Sequence, residues 1–183
     1  MSGSVTRRGI VLAVGAGAAI VAMGGKLAMA ADEKTVAVGG EVEEPKTFTA
    51  ADLAAMPQVE VKGAWSDNDD GKPFTAKGPL LYDVINACKP NLSGEMVGRS
   101  GVVVTGSDGY QSVFAWGEIA PDSSAAPVIV AVEFNGEPLR SIFLPAWVVS
   151  ANDKPTLRSV FSLAKLDLVN LAGGAGAEAT PTA

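Results

Sequence analysis

From Thr35 to Val169 the apolar residues come in short stretches, each cut off by glycine, proline or Asn/Asp pairs. Side chains alternate between the two faces of a strand, so short alternating stretches between turn formers specify a strand-rich fold. Thr35–Val42 alternates β-branched with small residues and predicts a first strand; Val59–Lys62 predicts a second. Val102–Thr105 and Tyr110–Phe114 predict a pair joined through Gly106-Ser107-Asp108-Gly109. Val128–Phe134 is apolar but for Glu133, as a central strand would be, and Asn135-Gly136 turns it into Glu137-Pro138-Leu139. Ser141–Leu144, Leu157–Val160 and Leu163–Val169 complete the strand set. Three short helices fall between them. Thr49 caps the first, with Asp52 three residues on and Pro57 as its stop. Leu80–Cys88 has apolar residues at helical spacing, with Pro79 suited to its first turn and Lys89-Pro90 ending it. A last helical turn is expected at Trp116–Ile119. The sum is an α+β fold: a mixed sheet or partly closed β-barrel with two or three short helices at its margin.

The first thirty residues follow a different logic. Thr6-Arg7-Arg8-Gly9-Ile10 opens a run of Ala, Val, Gly and Ile to about Gly25, and Ala28-Met29-Ala30 precedes Ala31-Asp32. Paired charges, an apolar centre and a small-x-small site are the three regions of a signal peptide, with cleavage expected after Ala30. The arginine pair, the Gly/Ala-diluted centre and Lys26 resemble a twin-arginine export signal, with Ile10 where a bulkier residue is usual. The apolar run of about 15 residues is short of the roughly 20 that span a bilayer. An exported, periplasmic protein is expected, with no stable membrane insertion after cleavage. The sequence divides into residues 1–30 (signal), 31–46 (lead-in strand), 47–170 (the domain) and 171–183, a low-complexity tail expected to be disordered.

Charge and composition exclude several functions. The signal takes three of the 14 basic residues and none of the 20 acidic ones, leaving 11 against 20, a net −9. Phosphate backbones and anionic lipid would repel such a surface, so no nucleic-acid partner is expected. Histidine is absent, which removes the commonest metal ligand and neutral-pH base. Cys88 is the single cysteine, so no internal disulfide can form.

Taken in order, these segments resemble the molybdopterin-binding oxidoreductase domain of the sulfite oxidase family in its short stand-alone form. The resemblance rests on Thr49–Pro57, on Phe74 with Gly78–Ile85, on Val104–Tyr110 and on Val113–Ile119. It continues through Asn135–Leu139, Ile142–Pro145 and Arg158–Val160, covering most of residues 47–168. It implies a sulfite-oxidase-like fold and a molybdopterin cofactor whose metal is held by a cysteine thiolate in the loop before the 80–88 helix. The corresponding stretch here, about Val59–Trp65, has no cysteine, and Cys88 stands at the far end of that helix. The family's arginine and histidine contacts to the pterin phosphate have no clear counterparts. Molybdopterin is therefore implied by resemblance while its thiolate ligand is missing.

Other candidates stand as follows. Cys88, in a helix of Leu, Val and Ile, reads as a small buried hydrophobe rather than a reactive thiol. Asp67-Asn68-Asp69-Asp70-Gly71 suggests a calcium loop, but counting from Ser66 puts Lys77 where the twelfth-position glutamate belongs, so a solvated loop is favoured. Asp108, Gly109 and Tyr110 form a turn that, in the resemblance, lies beside the cofactor cleft. The alternative is a hairpin that needs Asp-Gly only to close. Arg99, Arg140 and Arg158 are the mature domain's arginines, and Arg158 is the best placed to pair with an anion. Trp65, Trp116 and Trp147 read as core or rim packing ahead of pocket lining. Three functions remain open: a non-catalytic binding or accessory module for a pterin-like or other small anionic ligand, an oxidoreductase with a non-cysteine metal anchor, and a ligand-free structural domain. A redox partner is also compatible with the first two.

Overall fold

The computed structural model describes residues 34–64, 72–124, 126–151, 153 and 158–171, all within the unit Asp32–Ala183. The signal peptide with its Ala30 site, the 66–71 loop with Trp65, Leu157 and the tail from 172 lie outside the described residues. Eleven strands, three short α-helices and one 3-10 turn are found among those described. In chain order they are β1 (Thr35–Gly40), β2 (Lys46–Thr49), α1 (Ala50–Ala55), β3 (Val59–Ala64), β4 (Pro73–Gly78) and α2 (Leu81–Asn86). After a 3-10 turn at Gly94–Arg99 come β5 (Ser100–Gly106), β6 (Gln111–Ala115) and α3 (Trp116–Ile119). Then follow β7 (Val128–Ala131), β8 (Glu133–Phe134), β9 (Glu137–Pro138), β10 (Trp147–Ser150) and β11 (Leu163–Asn170).

The strands form three sheets. A five-stranded sheet runs β2-β1-β11-β5-β6, parallel at β1–β11 and antiparallel elsewhere. A four-stranded sheet runs β3-β4-β8-β9, and β7 pairs with β10. The strand orders are open, so none of the three closes on itself. The α+β mixed-sheet class expected from the sequence is the one observed.

The β7–β10 ribbon explains why this stretch is apolar without alternation. Val128, Val130 and Val148 face a core that also holds Val36, Leu53, Leu81 and Phe114. Ile129, Ala131, Trp147 and Val149 face a second core with Val61, Phe74 and Leu139. A strand buried on both faces needs apolar residues at every position. Trp147 is fully buried and its ring lies 5.1 Å from both Phe74 and Phe161, which makes it the centre of the second core. Trp116 is buried in the first. Gly78 lets β4 approach this ribbon: a Cβ there would come 2.1 Å from the Val130 carbonyl oxygen.

Local chemistry accounts for the element ends. Thr49 Oγ1 accepts from the Asp52 N–H at 3.1 Å and Asp52 Oδ2 accepts from the Thr49 N–H at 2.8 Å, a reciprocal cap as expected from the spacing. Asn135 and Gly136 both take positive φ, 51° and 79°, which closes the β8–β9 hairpin. Other expectations are corrected. Ser141–Leu144 forms turns; the strand is Trp147–Ser150, beyond Pro145, because the ribbon needs its apolar residues opposite β7. Of the described residues 158–160 only Val160 makes a strand-like bridge, to Val148. Pro79 precedes α2 rather than lying in its first turn, and its carbonyl accepts from the Val130 N–H at 2.8 Å. Among the described residues no helix is long and apolar enough to cross a membrane.

Candidate functional site

Two places gather the groups that chemistry could use: the C-terminal end of α2, with Cys88, and the segment 158–162, which runs past β6. At the first, Leu81, Val84 and Ile85 turn the apolar face of α2 into the core, and Cys88 follows them, fully buried. Its Sγ lies 3.8 Å from the Val84 carbonyl oxygen, as an SH donor. Burial pushes the thiol pKa up, with Lys46 acting weakly in the opposite direction. The helix end above it is closed by main-chain and side-chain donors. The N–H groups of Glu43 and Glu44 donate to the carbonyls of Lys89 and Cys88 at 2.9 and 3.1 Å, and Lys46 Nζ donates to the Ala87 carbonyl. Glu44 pairs with both Lys89 and Lys46, which lowers its carboxyl pKa. Lys89 takes φ 54°, which ends the helix as a left-handed cap.

At the second place β6 supplies a platform. Phe114 is fully buried and the Arg158 guanidinium carbon lies 4.6 Å over its ring. Ser112 Oγ donates to the Arg158 carbonyl at 3.0 Å, fixing the main chain beside β6. The short helix α3 begins with a side-chain contact: the Ala115 N–H donates to Glu118 Oε2 at 3.1 Å. That contact aims Glu118 at Arg158, whose Nη1 donates to Oε1 at 2.9 Å and Oε2 at 3.1 Å. Asp153 takes the other edge, with Nη2 donating to Oδ1 at 2.9 Å and Nε 3.3 Å from both oxygens. The hydrogen bonds to Asp153, with further help from Glu118, raise the guanidinium pKa against the opposing effect of burial. One positive charge therefore sits between two negative ones, two-thirds shielded from solvent.

The Asp108-Gly109-Tyr110 turn closes as the sequence suggests. The Gly106 N–H donates to the Tyr110 carbonyl at 2.9 Å, Gly109 takes φ 84°, and Asp108 Oδ1 accepts from the Tyr110 N–H at 2.9 Å. The turn meets the 158–162 segment at the opposite end from Arg158, through the Ser107 N–H and the Ser162 carbonyl at 2.9 Å. Asp108, Gly109 and Tyr110 thus share one segment with Arg158 without converging on one point. Arg99 pairs with Glu95 at the surface, and Arg140 stacks over Phe143 at 5.2 Å. Sequence reasoning missed Glu118 and Asp153. Glu118 carried a signal as the third residue of a short helix; Asp153, in a polar loop, carried none. An apolar hollow of ≈ 240 Å³ lies between Val59, Leu80, Ile119 and Pro127, and none of the candidate residues lines it.

A thiolate-anchored metal does not fit this donor set. The stretch that matches the family's cysteine loop is strand β3, paired along its length with β4, and the one thiol is enclosed behind α2. Among the described residues no three His, Cys, Asp or Glu side chains are grouped to hold a metal.

No protein-family model matches the chain, and no curated protein matches it. Solved structures do. The sulfane dehydrogenase SoxCD from Paracoccus pantotrophus is similar in fold, with a TM-score of 0.57 at 18% identity over 74% of this chain. The match spans 38% of that chain, so the protein corresponds to well under half of its structural neighbour. At this identity the likeness establishes the α+β, sulfite-oxidase-like scaffold and nothing about activity.

Proposed function

We propose that this chain is an exported accessory module on a sulfite-oxidase-like scaffold, non-catalytic, and built to take a small anionic ligand rather than a thiolate-held molybdenum. The observation that carries the first part is Cys88: fully buried, its pKa raised, and walled off by the Glu44–Lys46–Lys89 clasp. A thiolate must be ionised and reachable to bind a soft metal, and this one is neither. The anionic-ligand part is supported by Arg158, whose guanidinium lies ordered on an aromatic face before any ligand arrives. Its contacts to Glu118 and Asp153 equally favour a ligand-free structural domain, and the two readings separate by experiment. Native mass spectrometry of the exported protein in the presence of sulfate should give the chain from Ala31 with an anionic adduct that Arg158→Met removes, whereas the bare chain in both would favour the ligand-free domain. A metal-pterin adduct would overturn the reading. Export rests on Arg7 and Arg8: changing both to Lys should leave the protein in the cytoplasm, and unchanged export would remove the twin-arginine route.

A further inference from the structure

We propose that the outer face of the five-stranded sheet is a docking surface for a second copy of this chain. The inference is independent of the ligand reading above. Alternation gives each strand of this sheet a core side and an outer side. Val36, Val102, Phe114 and Leu166 point into the first core, and so do Leu53 of α1, Leu81 of α2 and Trp116 of α3. The helices therefore pack on that side, and among the described residues none covers the other.

Strand register gives the outer face row by row. One row runs Ala37, Lys165, Thr105, Gln111; the next runs Gly39, Asp167, Val103, Val113. A sheet face left to water is normally polar. Here β1, β5 and β6 contain no charged residue and Val113 is 49% exposed. The two charges of β11 pair with each other, Lys165 Nζ lying 2.9 Å from Asp167 Oδ2.

Such a face suits a copy of itself. The exported chain is net −9, so two copies repel overall, and they can approach best where each is neutral. The charges on this face are also self-complementary. A two-fold axis crossing β11 at Leu166 sets each Lys165 opposite Asp167 of the second copy, and Thr105 opposite Val103. Small side chains then meet at the spacing of packed sheets, about 10 Å. With strands about 4.8 Å apart, five of them make a face about 24 Å wide, at the small end for a specific interface, so the dimer is a reversible one.

Sedimentation equilibrium of the exported chain from about 5 to about 500 μM tests this, because mass action carries a reversible dimer across such a range. Wild type should rise from the monomer mass towards twice that value. Lys165→Asp leaves the face with two negative charges and Asp167→Lys with two positive ones. Each variant alone should stay monomeric, and an equimolar mixture of the two should dimerise. Lys62→Asp makes the same charge change on β3, in a different sheet, and should dimerise like wild type. Val113→Arg should weaken the dimer by about tenfold or more, and it serves if either charge variant fails to fold. A wild type that stays monomeric to the highest concentration would overturn the proposal. Dimerisation that survives Lys165→Asp, Asp167→Lys or Val113→Arg would overturn it too, by placing the interface elsewhere.

Discussion

The Cys88 end of α2 and the Arg158 cluster beside β6 each hold a group that chemistry could use, and each has it engaged internally. The manner of engagement differs. Cys88 is closed off by apolar packing, so ionising it would place a charge among Leu81, Val84 and Ile85. Arg158 is closed off by the carboxylates of Glu118 and Asp153, so its charge is kept and paired rather than excluded. Apolar enclosure disfavours the charged form of a group, whereas ionic pairing favours it.

The largest expected effect breaks the apolar side of this contrast. Leu81→Ala should lower stability by about 2–5 kcal/mol, since Leu81 is fully buried on the core face of α2, the helix that leads to Cys88. Urea unfolding measures the loss, and thiol labelling under native conditions should speed up as α2 loosens. An unchanged labelling rate would mean that packing is not what protects Cys88.

Arg158→Met should cost about 1–3 kcal/mol, at or below the range for breaking a buried pair because the side chain is one-third exposed. Neutralising Glu118 and Asp153 in the same protein should restore much of it, because the loss comes from carboxylates left without their partner. If the triple variant is no more stable than Arg158→Met, the cluster is not acting as one ionic unit.

A third effect is confined to alkaline pH. Burial in the folded chain raises the Cys88 pKa above the ordinary thiol value of 9.0. The unfolded chain therefore loses its thiol proton first, and the stabilisation is complete below pH 9 and lost as pH rises through the folded value. Thermal melts of Cys88→Ala should lack this part of the alkaline decline, and identical pH profiles would place the thiol in contact with water. The smallest effect belongs to the clasp. Glu44 is exposed, and Glu44→Gln should leave the melting temperature within error, since exposed ion pairs contribute little.

Much of the fold was legible because it rests on local chemistry. The Thr49/Asp52 cap, the Gly106–Gly109 turn and the Asn135-Gly136 hairpin each follow from residues a few positions apart. Trp147–Ser150 was not legible, because its identity as a strand depends on β7 and on two cores meeting across it. Pro73–Gly78 was hidden in the same way beside a polar loop: its alternation is modest, and pairing with β3 supplies the rest. At the site, the sequence indicated the burial of Cys88 and offered Arg158 as a candidate anion contact, with an ion pair as the alternative. It did not indicate that Glu118, 40 residues away, and Asp153 would converge on that guanidinium. Ion pairs set by tertiary approach have no spacing for a sequence to display.

The central claim is that this scaffold does not hold molybdenum through its thiol. Elemental analysis of the exported, untreated protein measures it directly, as molybdenum per chain beside the same value for Cys88→Ser. The account predicts far less than one molybdenum per chain in both. One molybdenum per chain in the wild type, lost in Cys88→Ser, would contradict it.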